Sequence, residues 1–172
     1  MTFTYCKLAE IAAADATIDL MDTTEIAAEL EATVEATRGR LLAIGEEATG
    51  KRSDADKWSK KEILGHLIDS ASNNHQRFVR LQHDKLLVMP SYQQNDWVRT
   101  QNYEGREWRE LVEFWAAYNR HLAHVIRNVD ESAAGNVWKT PNWEHNLGYL
   151  IGDYLVHMRH HLAQILSTSA AA

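Results

Sequence analysis

Only two prolines, Pro90 and Pro141, and eight glycines punctuate 172 residues in which Ala, Leu and Glu are abundant. A chain so poor in turn-formers and rich in helix-formers is committed to long helices rather than to a sheet of tight hairpins. The expected class is all-α. At 45% apolar and 24% charged residues the chain can bury a real core, and its length suits one domain. No internal repeat or Pro, Gly or Ser-rich linker divides it, so residues 1–172 read as one helical unit. Within it, residues 1–21 form a loosely attached segment ahead of a bundle at about 22–168.

Apolar spacing places four helices. The first is expected over about Thr23 to Ile44, where Asp22 and Glu25 resemble a capping box and Ile26, Leu30, Val34, Leu41 and Ile44 share a face. The second opens at Ser59, whose hydroxyl and the Glu62 carboxylate can cap each other's amides, and runs to about Gln82. The third spans roughly Glu104 to Val129, with Trp108, Leu111, Trp115, Leu122, Ile126 and Val129 on one stripe, and the fourth about Asn146 to Ser167. Residues 5–20 read as a weak amphipathic segment. Residues 83–103 hold Met89, Tyr92, Trp97 and Tyr103, too apolar for a free loop, and either cross between non-adjacent helices or lie over a site as a lid.

Composition excludes several functions. A net charge of −6 gives no basic surface for phosphate backbones, so nucleic acid is set aside. Cys6 is the only cysteine, which rules out internal disulfides and Cys-based zinc ribbons and favours a reducing, cytoplasmic setting. No window has the roughly 18 to 20 apolar residues of a membrane span.

The chemistry concentrates in histidines. His157 and His161 stand one above the other on the fourth helix, flanking a stripe of Leu147, Ile151, Tyr154, Met158, Leu162 and Ile165, with Asp153 and Gln164 beside them. Nine histidines yield about 0.5 such i, i+4 pairs by chance, so the pair needs a third ligand to signify metal. On the second helix His66 flanks the face of Leu67, Ala71 and Phe78, near Glu62, Asp69 and Asn73. Two such flanks facing each other would either grip an ion or hold ordinary hydrogen-bonded core-edge histidines; spacing leaves both open. His75, His121 and His124 point away from the apolar stripes and read as surface residues. Asn119, inside the third stripe, is either a hydrogen-bond hub or a site residue. The paired Glu-x-x-His motifs of di-iron bundles are missing.

Two stretches carry a resemblance. Trp58-Ser59-Lys60-Lys61-Glu62-Ile63-Leu64-Gly65-His66-Leu67-Ile68-Asp69 and Asp153-Tyr154-Leu155-Val156-His157-Met158-Arg159-His160-His161-Leu162-Ala163-Gln164-Ile165 resemble, in order and about 90 residues apart, the W-S-x-x-E-x-x-x-H-L-x-D and H-x-x-H-H-x-x-Q-I patterns of the DinB-like (YfiT-like) family. The resemblance implies an up-down-down-up four-helix bundle with a long crossover between helices 2 and 3. It further implies one divalent ion (nickel, zinc or iron) on His66, His157 and His161, and a homodimer. His160 matches a family position without being a usual ligand. Family activities include S-transfer from low-molecular-weight thiols, thiol-dependent isomerisation and metal-dependent hydrolysis of small molecules.

Three neutral imidazoles would leave an ion's +2 charge uncompensated and a coordination position open, the mark of a catalytic site. A water there would fall in pKa toward roughly 7 to 9, and a thiol, about 3% thiolate at pH 7, would become almost wholly deprotonated. Asp69 and Asp153 are the nearest carboxylates in helical register with the ligands, placed either to accept a ring N–H or pass protons, or to face solvent. The reading from another class is a ligand-binding or dimerising stress protein that binds metal incidentally.

Overall fold

The computed structural model describes residues 22–167; the expected amphipathic segment at 5–20 lies outside the described residues. Four helices of 20 or 21 residues dominate: α1 (Thr23–Leu42), α3 (Lys60–Arg80), α5 (Trp108–Arg127) and α6 (Leu147–Ser167). Two short ones, α2 (Glu46–Thr49) and α4 (Gln94–Gln101), sit in the connections. The four expected helices are all present, with ends displaced by at most four residues. Helix 1 stops at Leu42 and restarts as α2. The capping of α1 also differs from expectation: the Asp22 side chain accepts from the Thr24 amide at 2.8 Å. No helix among the described residues is long and apolar enough to cross a membrane.

The direction of each helix follows from contacts at one end of the bundle. The Trp108 indole at the start of α5 donates to the Leu41 carbonyl at the end of α1, 2.7 Å, so these helices are antiparallel. Lys60, at the start of α3, donates to the Ile165 carbonyl near the end of α6, 2.7 Å, so these two are also antiparallel. Lys61 beside it donates to the Arg106 carbonyl, 2.7 Å, just ahead of α5, which makes α3 and α5 parallel. The bundle is therefore up-down-down-up. Both α1 and α3 pack on α5 and on α6, giving the cyclic order α1, α5, α3, α6.

Parallel neighbours need a connection that returns the whole length of a helix, which explains the long crossover. Of the two readings of this link, a crossing between non-adjacent helices is excluded, since α3 and α5 pack on each other. The crossover carries β1 (Leu86–Val88), then α4, then a 3-10 turn at Tyr103–Gly105 that lands on the first turns of α3.

At the opposite end β1 pairs in parallel with β2 (Val137–Lys139), which pairs antiparallel with β3 (Glu144–Asn146). This small sheet was not anticipated. Trp138 is its centre: it pairs with Leu87 and His145, donates its indole N–H to the Met89 carbonyl at 2.8 Å, and lies 3.6 Å beneath the Arg77 guanidinium.

The core is the set of expected stripes brought face to face. Leu30, Val34, Phe78, Trp115, Leu122 and Met158 are all fully buried. Asn119, equally buried, is a hydrogen-bond hub, donating to the Trp115 carbonyl at 2.8 Å and accepting from the Tyr154 hydroxyl.

Candidate metal centre

The capping box expected at Ser59 is formed, with the hydroxyl accepting from the Glu62 amide at 3.2 Å and Glu62 accepting from the Ser59 amide at 2.9 Å. Arg52 holds the other Glu62 oxygen at 2.6 Å. Starting α3 at this fixed point places His66 two turns in, on the side facing α6, with no exposed surface. The Lys60–Ile165 bond then sets how far along α6 the partner histidines lie.

The three histidines converge. His66 Nε2 and His157 Nε2 are 3.1 Å apart. Ring centroids are separated by 4.8 Å for His66–His161 and 4.6 Å for His157–His161, and one ligand atom from each residue lies within 4.8 Å of the others. Two nitrogens bound to one ion at about 2.0 to 2.1 Å, at roughly tetrahedral or right angles, stand about 2.9 to 3.4 Å apart. The 3.1 Å pair falls inside that range, so the residues fit a divalent ion.

Their electrostatics suit the same purpose. Burial, then the neighbouring His157 and His161, push the His66 imidazole down from 6.5 to about 2. Burial, then His161 and His160, push His157 to about 3. His161 is lowered as well, chiefly by burial, against its hydrogen bond with the Gln164 side-chain oxygen, which raises it. All three are neutral above pH 6.5 and offer lone pairs. His66 Nδ1 is buried with no hydrogen-bond partner among the described residues. The Trp58 ring covers His66 at 4.9 Å, tilted by 40°.

Asp69 follows His66 by one helical turn, is buried, and belongs to a clasp that the sequence analysis did not anticipate. Its Oδ1 accepts from the Tyr103 hydroxyl at 2.6 Å and from the Gln101 side-chain amide, both brought by the crossover. Its Oδ2 is buried with no hydrogen-bond partner among the described residues. Desolvation raises its carboxyl to about 6, against the lowering effect of the two donors. The one sequence signal for this clasp is Gly65 inside α3: a Cβ there would overlap the Tyr103 ring, and a glycine within a helical pattern points to such a close approach. Asp153 is half-buried on α6, and burial raises its carboxyl too.

The remaining histidines divide. His121 and His124 are exposed as expected, whereas His75 is half-buried. Its Nδ1 lies 3.1 Å from the Tyr118 hydroxyl, and its ring stands 5.0 Å from that of His121. The physical reason is that α3 and α5 are adjacent, so this flank of α3 faces another helix.

Up-down-down-up connectivity around a histidine cluster defines a particular class of helical protein, and sequence comparison agrees. The chain belongs to the DinB superfamily, whose family model it matches over residues 29–165. Among solved structures it is similar to YfiT from Bacillus subtilis, described as a probable metal-dependent hydrolase with an unusual four-helix bundle topology. That likeness has a TM-score of 0.74 at 14% identity, over 91% of this chain and 89% of that one. No curated protein matches the sequence.

Proposed function

We propose that His66, His157 and His161 hold one divalent ion, zinc, nickel or iron, and that the protein is a metal-dependent hydrolase acting on a small molecule. The observation that carries this reading is the convergence of three neutral imidazoles from α3 and α6 within 4.8 Å. The description of YfiT as a probable metal-dependent hydrolase supports it. An ion held there supplies a Lewis acid with an open position, able to lower the pKa of water from about 15.7 toward about 7, or to ionise a thiol.

The chain's own residues do the rest. His66, buried beneath Trp58, is the rigid member of the set. Asp69, clasped through Oδ1, keeps a buried Oδ2 as an acceptor with no hydrogen-bond partner among the described residues. With its carboxyl near 6, it exchanges a proton close to neutral pH, the property of a general base. Asp153, one turn before His157 on α6, is a second carboxylate beside the cluster, raised by burial.

Elemental analysis of untagged protein, wild type beside H66A, H157A and H161A, tests the ligand set. One ion per chain is expected in the wild type and none in the variants; stoichiometric metal that survives any one substitution refutes the assignment. With that metal restored, ester and amide substrates are run beside a low-molecular-weight thiol with an electrophile. Turnover only in the thiol arm would replace hydrolysis by S-transfer, and turnover in neither would favour a ligand-binding protein.

A further inference from the structure

A hydrogen-bonded chain leaves the histidine cluster on its solvent side and ends at a residue the metal site does not use. His161 Nδ1 is 2.9 Å from Gln164 Oε1, and Gln164 Nε2 is 2.9 Å from His160 Nε2. With the amide seated this way, the donor and acceptor roles along it follow. An amide oxygen only accepts, so His161 Nδ1 carries the proton; an amide nitrogen only donates, so His160 Nε2 is the acceptor. Protonation of Nδ1 leaves the lone pair of His161 on Nε2. Rotating the amide by half a turn would reverse every role, placing a proton on His161 Nε2 and removing it as a ligand. The amide is seated with Oε1 toward His161 and Nε2 toward His160, the orientation that leaves His161 a ligand.

We infer that Gln164, whose Oε1 lies against His161 Nδ1, is a positioning residue that selects the metal-binding tautomer of His161. The inference rests on reading His66, His157 and His161 as the metal site. Outer partners of ligating histidines fix ring orientation and tautomer in this way, and losing one weakens metal affinity by roughly 10- to 100-fold. Gln164 can perform this role because it is one helical turn from His160 and three residues from His161, so one side chain reaches both rings.

The test uses the full chain, stripped of metal and labelled with 15N at histidine. Long-range nitrogen–proton NMR spectra should show wild-type His161 protonated at Nδ1 and bare at Nε2. Q164M, similar in size but unable to bond either ring, should give a mixture of tautomers. Q164E, which still accepts from Nδ1, should retain the wild-type tautomer. Zinc affinity, read by competition with a chromophoric chelator, should fall about 10- to 100-fold in Q164M and by less than about threefold in Q164E. Nε2-protonated His161 in the wild type, or Q164M with wild-type tautomer and affinity, overturns the inference. If Q164M fails to fold, the wild-type spectrum and Q164E still decide. If the wild type binds no zinc while the tautomer responds to Q164M as described, the metal reading fails and the positioning role stands.

Discussion

Replacing Gly65 by alanine tests whether the crossover is seated as described. A Cβ at this position would reach Cε2 of the Tyr103 ring at 2.6 Å, with Cγ and Cδ2 closer still. Ordinary carbon contacts need about 3.5 Å or more, so the ring must retreat by more than about 1 Å. Tyr103 is 7% exposed, and its hydroxyl is committed to Asp69 at 2.6 Å, so that retreat breaks the clasp. Overpacking costs about 1 to 3 kcal/mol, and a lost hydrogen bond to a carboxylate about 1.5 to 3 kcal/mol. Alanine's better helix propensity returns about 1 kcal/mol. The net is a destabilisation of about 1.5 to 5 kcal/mol, a fall in Tm of roughly 3 to 20 °C for a chain of this size. Circular dichroism melts of G65A, Y103A and the double variant measure it. In the Y103A background the ring is gone, and G65A should instead stabilise by about 1 kcal/mol, a change of sign that only the contact predicts. A G65A protein as stable as wild type, or equally damaging in both backgrounds, would show that Tyr103 does not sit on α3.

Acid should reveal the cluster in the metal-free protein. His66 and His157 are held near 2 and 3, so the unfolded chain takes up protons below about pH 6.5 that the folded chain refuses. Stability should therefore fall as pH drops from 6.5 toward 3, with H66Q/H157Q flattening the slope in urea titrations. Asp69 acts with the opposite sign: raised to about 6, it holds a proton in the folded state that the unfolded chain has released above pH 4. It thus costs roughly 2 kcal/mol as pH rises from 4 to 6, and D69N should make the acid loss of stability steeper than in wild type. In the core, Y154F removes the donor to Asn119 Oδ1 and leaves a buried acceptor unpaired. Urea denaturation should record a loss of about 1 to 3 kcal/mol, and an unchanged midpoint would mean that Asn119 has another donor.

What the sequence determined by itself was local or periodic. Helix positions follow from a 3.6-residue repeat written into every stripe, the start of α3 from the Ser59 and Glu62 pair four positions wide, and the histidine flanks from their angle to the apolar face. Each depends on residues within a few turns, so each is legible without knowing what packs where. The small sheet escaped because three-residue strands are too short to show a period and because β1 pairs with a segment some 50 residues on. The clasp on Asp69, the half-burial of His75 and the His160–Gln164–His161 chain of hydrogen bonds were decided by tertiary structure. Which flanks meet depends on the cyclic order of the helices, and how far along they meet depends on contacts such as Lys60 with the Ile165 carbonyl. Those are set by the collective packing of side chains from distant stretches, a property that no short window of residues contains.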